Sequence, residues 1–211
     1  MKCCEKGRSM IEMLGVLAIV GVLSVGAVAG YSKAMTKYKR DKLMSQIAEL
    51  VINIRTLYFQ QTTFSGISKK ILISAGAIPN GMYDKSDINN SDIQILHAMS
   101  GEVLIFPSRN GDEIEQAFEV YIKGLDQLTC LDMAITDWGQ DPSSGFKAMY
   151  IGTDDITSAQ MINVTSSTDA NPGAGIYTPG KHDMSIPLTV NQARAACACD
   201  AKNCVIGLKY I

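Results

Sequence analysis

Gly7-Arg8-Ser9-Met10-Ile11-Glu12-Met13-Leu14-Gly15-Val16-Leu17-Ala18-Ile19-Val20-Gly21-Val22-Leu23-Ser24-Val25-Gly26-Ala27-Val28-Ala29-Gly30 is the stretch on which the fold turns. From Met10 to Gly30 it holds one charge and no proline, and as a helix it would rise about 31 Å, the thickness of a bilayer's hydrocarbon core. The sequence therefore predicts one membrane-length helix. Its single charge, Glu12, costs about 2 to 3 kcal/mol on insertion scales, so a carboxylate here implies a use for it. An ordinary secretory signal is cut beyond its apolar core and loses it. Ala27-Val28-Ala29 offers only a weak site of that kind.

A short polar stretch with Lys2 and Lys6, then Gly7, then a glutamate five residues later at the head of an apolar run, resembles the processing signal of type IV pilins and their pseudopilin relatives. The resemblance implies that a prepilin peptidase cuts after Gly7 and leaves the helix on the mature chain, starting at Arg8. It also implies that Glu12 serves assembly by meeting the N-terminal amine of a neighbouring subunit. A carboxylate paired with an ammonium recovers much of its burial cost. The first mature residue in the family is usually apolar, so Arg8 is a departure, and the family's N-methylation is not carried over. Arg8 and Glu12 stand four apart and can pair within the helix, with the cation first, which is the weaker order.

Beyond Gly30 the helical pattern continues without a break. Leu43, Ile47, Leu50, Ile54 and Leu57 recur at helical spacing, joined by Met44, Val51 and Tyr58, and the first proline is Pro79. One helix from about Ser9 to Gln61 follows, with its second half amphipathic and packed on a head. Gly15, Gly21, Gly26 and Gly30 weaken the first half by up to about 1 kcal/mol each, and Gly26-x3-Gly30 permits close helix approach. The organisation expected is a leader over 1–7, a transmembrane and assembly half over 8–32, an amphipathic half over 33–61, and a globular head over 62–211.

The chain has 211 residues and a formal charge of −2; removing Lys2, Glu5 and Lys6, together +1, leaves −3. A nucleic-acid-binding domain would be strongly basic, so none is expected as a partner of the head. Lys33, Lys37, Lys39, Arg40 and Lys42 follow the apolar run and outnumber Lys2, Lys6 and Arg8 before it. A bare positive-inside count favours the opposite orientation. The pilin resemblance and the cysteines place the head outside: Cys3 and Cys4 fall in the leader, whereas Cys130, Cys197, Cys199 and Cys204 fall in the head. Four thiols in an exported domain favour disulfides, with three connectivities open. Zinc on Cys197, Cys199 and Cys204 with Cys130 or His182 is the alternative, but paired Cys-x2-Cys knuckles are lacking. A bridge from Cys130 to the C-terminal trio would close about 70 residues, stabilising by roughly 4 kcal/mol on the chain-entropy model.

In the head, Lys69 to Ala75 reads as a short helix and Gly76 to Gly81 as a turn-rich loop. Val103 to Phe106, Phe118 to Ile122, Met149 to Ile151 and Val205 to Tyr210 read as strands. Leu125, Leu128, Leu131 and Ala134 suit a helix carrying Cys130, and Thr189 can cap another over Val190 to Ala196. Gly152 to Pro187, rich in Thr, Ser, Asp, Asn, Gly and Pro, reads as exposed loops, a natural variable or adhesive surface on a fibre.

No catalytic residue, cofactor or metal site is expected. His97 and His182 are in no nucleophile or metal motif, and His97 reads as a satisfied, half-buried histidine. Asp154-Asp155, with Asp137 and Asp141, is a calcium alternative without the Asp-x-Asp-x-Asp-Gly loop, and reads as solvated acid.

Ala75-Gly-Ala-Ile-Pro-Asn-Gly-Met82, the following strand pair, Gly124-Leu-Asp-Gln-Leu-Thr-Cys130 and a C-terminal cysteine with a last strand resemble type IVb pilins of the PilS group. The resemblance implies an α+β fold, the α/β roll: a long N-terminal helix laid on an antiparallel sheet, with a C-terminal region held by disulfide. The function implied is a structural pilus subunit, not an enzyme. It would be held in the bacterial inner membrane by a single pass with a periplasmic head, met by an assembly platform, and polymerised with other pilins into an extracellular fibre. A type II secretion pseudopilin and a membrane-anchored periplasmic binding domain are the alternatives.

Overall fold

The computed structural model describes residues 10–84, 93–139, 141–153, 155–161, 164, 175–179 and 186–211. A helix, α1, runs from Met10 to Tyr58, close to the expected span. Helix α2 covers Lys69–Ser74, β1 Val103–Asn110, β2 Glu113–Leu125, α3 Gln127–Ala134, β3 Phe146–Thr153, β4 Ile176–Tyr177, α4 Val190–Ala196 and β5 Cys204–Tyr210. The chain divides into two compact units between Asp41 and Lys42.

The second unit is built on a five-stranded sheet in the order β1-β2-β5-β3-β4, antiparallel throughout. The last strand in sequence is thus the central one. Pro107 lies inside β1, which is tolerated because β1 is an edge strand whose outer side needs no ladder donor. The starts of α2, α3 and α4 are capped by Ser68, Asp126 and Thr189, the last as the sequence suggests. Asp126 Oδ1 accepts from Thr129 N at 2.7 Å, and Thr189 and Gln192 form a reciprocal capping box.

The inner face of the sheet carries Val103, Ile105, Val120, Ile122, Met149, Ile151, Ile206 and Leu208, in one core with Leu43, Ile47, Leu50 and Ile54 of α1. Those four helix residues are fully buried. Each is worth about 1.5 to 3 kcal/mol in removed apolar surface, which explains why this part of α1 belongs to the head. Leu57 departs from the expected stripe: it is partly exposed, and Tyr58 takes the last buried position. A run of ring contacts then ties the helix end to the sheet, from Tyr58 to Phe64, Phe118, Tyr210 and Phe146, with centroids 4.8 to 5.9 Å apart.

The strands are longer than expected and a fifth is present. Pro107 to Asn110 extend β1 beyond the expected Phe106, and Glu113 to Ala117 extend β2 ahead of the expected Phe118. Part of 152–187 also departs from the reading as exposed loop. Ile156, Met161, Val164 and Ile176 are buried and form a second core with Tyr121, Ala148 and Val205 on the outer face. Residues 154, 162–163, 165–174 and 180–185 of that stretch, Asp154 and His182 among them, lie outside the described residues.

Candidate functional site

Two features separate this chain from an ordinary globular domain: an apolar helical stem, and a head with a buried polar cluster and closely placed cysteines.

Every residue from Met10 to Ala34 is exposed in the isolated chain. Ile11, Leu14, Leu17, Ile19, Val22, Leu23, Val25 and Val28 each show more than half of their surface. Monomeric soluble proteins rarely leave so much contiguous apolar surface uncovered. By length and composition this is a helix that can cross a membrane. Two hydroxyls of α1 are already satisfied along the helix itself, Ser24 Oγ donating to the Val20 carbonyl at 2.7 Å and Thr36 Oγ1 to that of Ser32 at 3.0 Å. This spares them a desolvation cost in an apolar medium. A Cβ added at Gly15, Gly21, Gly26 or Gly30 would meet nothing within 4 Å, so the chain's own packing does not require these glycines.

Glu12 lies in the first turn of α1, where a carboxylate also suits the helix dipole, and is exposed. No described residue offers it a hydrogen bond or an ion pair. Gly7, Arg8, Cys3 and Cys4 lie outside the described residues, and so does the Arg8–Glu12 pair.

In the head, the structure chooses among the three cysteine pairings. Cys130, in α3, is bonded to Cys197 at the end of α4, and Cys199 to Cys204 at the start of β5, with Cα–Cα distances of 5.9 and 5.5 Å. The sulfurs of Cys130, Cys199 and Cys204 all lie within 4.8 Å of one another. With every sulfur in a bridge, none is a thiolate available to zinc.

Two of the acids weighed for calcium, Asp137 and Asp141, hold turns. Asp137 Oδ1 accepts from Gly139 N at 2.9 Å and Asp141 Oδ1 from Ser143 N at 2.8 Å. Those Ser143 hydrogen bonds hold the Asp141 carboxyl below the usual range. His97 is fully buried rather than half-buried. Its Nδ1 accepts from Met99 N at 3.1 Å, so Nε2 carries the proton and donates to the Lys123 carbonyl at 2.9 Å. Burial holds the imidazole below the ordinary histidine range. A Cβ at Gly101 would sit 2.4 Å from His97 Nε2 and 2.0 Å from the Lys123 carbonyl oxygen, so glycine is required there. The histidine is structural: two turns close around a neutral ring.

The sequence reading missed a buried polar cluster on the outer face of the sheet. Glu119 of β2 and Lys209 of β5 are register partners across adjacent strands, and both are fully buried. The Glu119 carboxylate accepts from Ser108 Oγ at 2.6 Å, from the Tyr121 hydroxyl, and from the backbone N–H groups of Gln160 and Met161 at 3.0 and 3.1 Å. Lys209 Nζ donates to the carbonyls of Met161 and Val164 at 2.6 and 2.7 Å. Burial, then the Glu119 charge, pushes the Tyr121 phenol far up, so it remains a donor. Beside the cluster Gly207 lies opposite Tyr121, and a Cβ there would come 2.4 Å from the ring. One available signal was that Leu104, Phe106, Tyr121, Tyr150 and Val205 fall on the supposed solvent face. A sheet apolar on both faces is covered on both.

A long helix with an uncovered apolar half, and a second half built into an antiparallel sheet with a disulfide-held C-terminal region, defines a pilin-type subunit. The sequence profile of the bundlin family matches residues 32–210. The chain belongs to the bundlin family of type IV pilins.

It is 29% identical over 156 residues to the major structural subunit of bundle-forming pilus of Escherichia coli O127:H6, covering 73% of this chain and 76% of the relative. The corresponding protein of E. coli O111:H- is 28% identical over the same length and coverage. Among solved structures it is similar to a type IV b pilin from Salmonella typhi, with TM-score 0.47 and 15% identity, covering 79% of this chain and 96% of that one. It is also similar to TcpA, a type IV pilin from Vibrio cholerae El Tor biotype, with TM-score 0.49 and 15% identity, covering 85% and 99%.

Proposed function

We infer that this chain is a structural subunit of a type IV pilus, made as a prepilin and polymerised through its N-terminal helix. The observation that carries the reading is the match of the bundlin profile to nearly the whole head, on a chain whose helix leaves Met10 to Ala34 uncovered. Apolar surface of that extent is stable only in lipid or against other apolar helices. The two environments correspond to two stages: a single-pass subunit in the bacterial inner membrane with its head in the periplasm, then a fibre outside the cell.

The processing roles follow the sequence signal. Prepilin peptidase cuts between Gly7 and Arg8, removing residues 1–7. Residues 8–32 serve as membrane anchor and then as assembly helix, 33–61 join them to the head, and 62–211 form the surface displayed. Glu12 guides docking by meeting the new amine of a neighbouring subunit, in one network with Arg8. The assembly platform of the inner membrane moves the subunit from one stage to the other. The relatives' function as major structural subunits of bundle-forming pilus supports the same role here.

Intact-mass and peptide spectrometry of filaments sheared from cells expressing the chain tests this. The expected result is abundant chain beginning at Arg8 in long extracellular fibres. An intact chain beginning at Met1 and confined to membranes would sink the processing scheme, and a chain beginning at Arg8 but never leaving the envelope would sink the fibre.

A further inference from the structure

The four head cysteines lie closer together than two independent bridges require. One bridge spans 67 residues of sequence and ties α3 to the end of α4, whereas the other spans five and ends at the first residue of β5. Yet the sulfurs of Cys199 and Cys204 both fall within 4.8 Å of the Cys130 sulfur. The short bridge therefore lies beside the long one. Cys130, Cys197 and Cys204 are fully buried, and Cys199 alone of the four is partly exposed.

Thiol–disulfide exchange needs a thiolate placed against a disulfide sulfur, and its course depends on access and on which sulfur is attacked. Access selects Cys199 as the point of entry. When an incoming thiolate bonds to Cys199, the group that leaves is Cys204. Proximity then selects the next target, because the freed Cys204 sulfur, itself buried, lies within 4.8 Å of the buried Cys130 sulfur.

We propose that these are an exchange-competent pair of disulfides, in which a small thiol entering at Cys199 passes the cross-link on α3 from Cys197 to Cys204. In the first step the thiolate of an external monothiol forms a bond to Cys199 Sγ, the Cys199–Cys204 bond breaks, and Cys204 leaves with the electron pair. In the second, Cys204 Sγ bonds to Cys130 Sγ, the Cys130–Cys197 bond breaks, and Cys197 takes up the proton that the entering thiol lost. Two disulfides and one thiol stand on each side, so no oxidant is consumed. Attack by Cys197 on the mixed disulfide at Cys199 would expel the external thiol unchanged and close Cys197–Cys199.

The consequence is mechanical. Before exchange the long bridge holds the C-terminal end of α4. Afterwards it ties α3 to β5, the central strand of the sheet, and α4 loses its covalent tether while the head stays cross-linked. The inference is independent of how the stem assembles.

The test uses the full-length protein in detergent, incubated without oxygen with reduced glutathione, quenched in acid, alkylated, and mapped by non-reducing peptide mass spectrometry. Expected is a cross-linked peptide joining Cys130 to Cys204, absent at the start and growing with time, with Cys199 carrying glutathione and Cys197 alkylated. Labelling of Cys199 and Cys204 with Cys130–Cys197 intact would overturn the proposal, as would two untouched bridges. The variant Cys199→Ser gives a second reading, since it leaves Cys204 as a thiol beside Cys130. It should isolate as a mixture of Cys130–Cys197 and Cys130–Cys204 forms, whereas pure Cys130–Cys197 with an alkylatable Cys204 would contradict it.

Discussion

Two glutamates stand in apolar surroundings in this chain, and they are treated in opposite ways. Glu119, on the outer face of the sheet, is fully buried and receives hydrogen bonds from Ser108, Tyr121, Gln160 and Met161, with Lys209 as its cross-strand partner. Glu12, in the stem, is exposed in the isolated chain and has no partner among the described residues. A buried charge is costly unless it is paired and hydrogen-bonded. The head supplies that pairing from its own sequence, so Glu119 is an element of the fold. The stem supplies none, so once its surroundings are apolar the partner of Glu12 has to come from beyond the described chain. The contrast separates a residue that the fold itself satisfies from one that the described chain leaves without a partner.

The largest effect that would test this contrast is at Glu119. Glu119→Ala removes the acceptor of the Ser108 and Tyr121 hydroxyls and of the Met161 backbone N–H, and leaves Gln160 N–H with the Tyr121 hydroxyl alone, all inside the buried outer face. Its head should lose about 3 to 5 kcal/mol in chemical denaturation, and Glu119→Gln, which keeps an acceptor, should lose less. A loss below about 1 kcal/mol would show that water replaces the carboxylate and that the cluster is not closed.

Next in size is a paired truncation on α1. Leu50→Ala empties a fully buried site and should cost about 2 to 5 kcal/mol, whereas Leu17→Ala, on the exposed stem, should leave head stability unchanged within about 0.5 kcal/mol. Equal effects would remove the distinction between the halves of the helix.

The smallest effect concerns His97. Its folded imidazole is held neutral with its affinity for protons lowered by burial, so the unfolded chain, near 6.5, binds the proton first as pH falls. Head stability should be fully present above that value and decline as pH drops below it, and a His97→Gln variant should lose that slope while the acid loss due to carboxylates remains. An unchanged slope would place the titration elsewhere.

The sequence carried the architecture well where one physical term dominates. The apolar run and the spacing of Leu43, Ile47, Leu50 and Ile54 defined α1 to within a few residues of Met10–Tyr58. Asp126 and Thr189 cap α3 and α4, whose helices had been placed from periodicity and cap chemistry. It failed where burial depends on a partner remote in sequence. Glu119 and Lys209 alternate with apolar neighbours, the pattern of a sheet with one solvated face. Only the packing of Ile156, Met161 and Val164 over them, from a segment whose composition reads as loop, makes them interior. The cysteine pairing was equally non-local, because the Cys197, Cys199 and Cys204 spacing suits any of the three connectivities until α3 and α4 are in place.

The claim that the uncovered stem is the joining element, with Glu12 as its polar contact, is tested most directly by quantifying sheared filaments from Glu12→Ala cells against wild type, normalised to the membrane-held pool of the same subunit. The account predicts that filaments fall below detection while the pool persists with a folded, oxidised head, since Glu12 contributes nothing to head stability. Filaments at the wild-type level would contradict it.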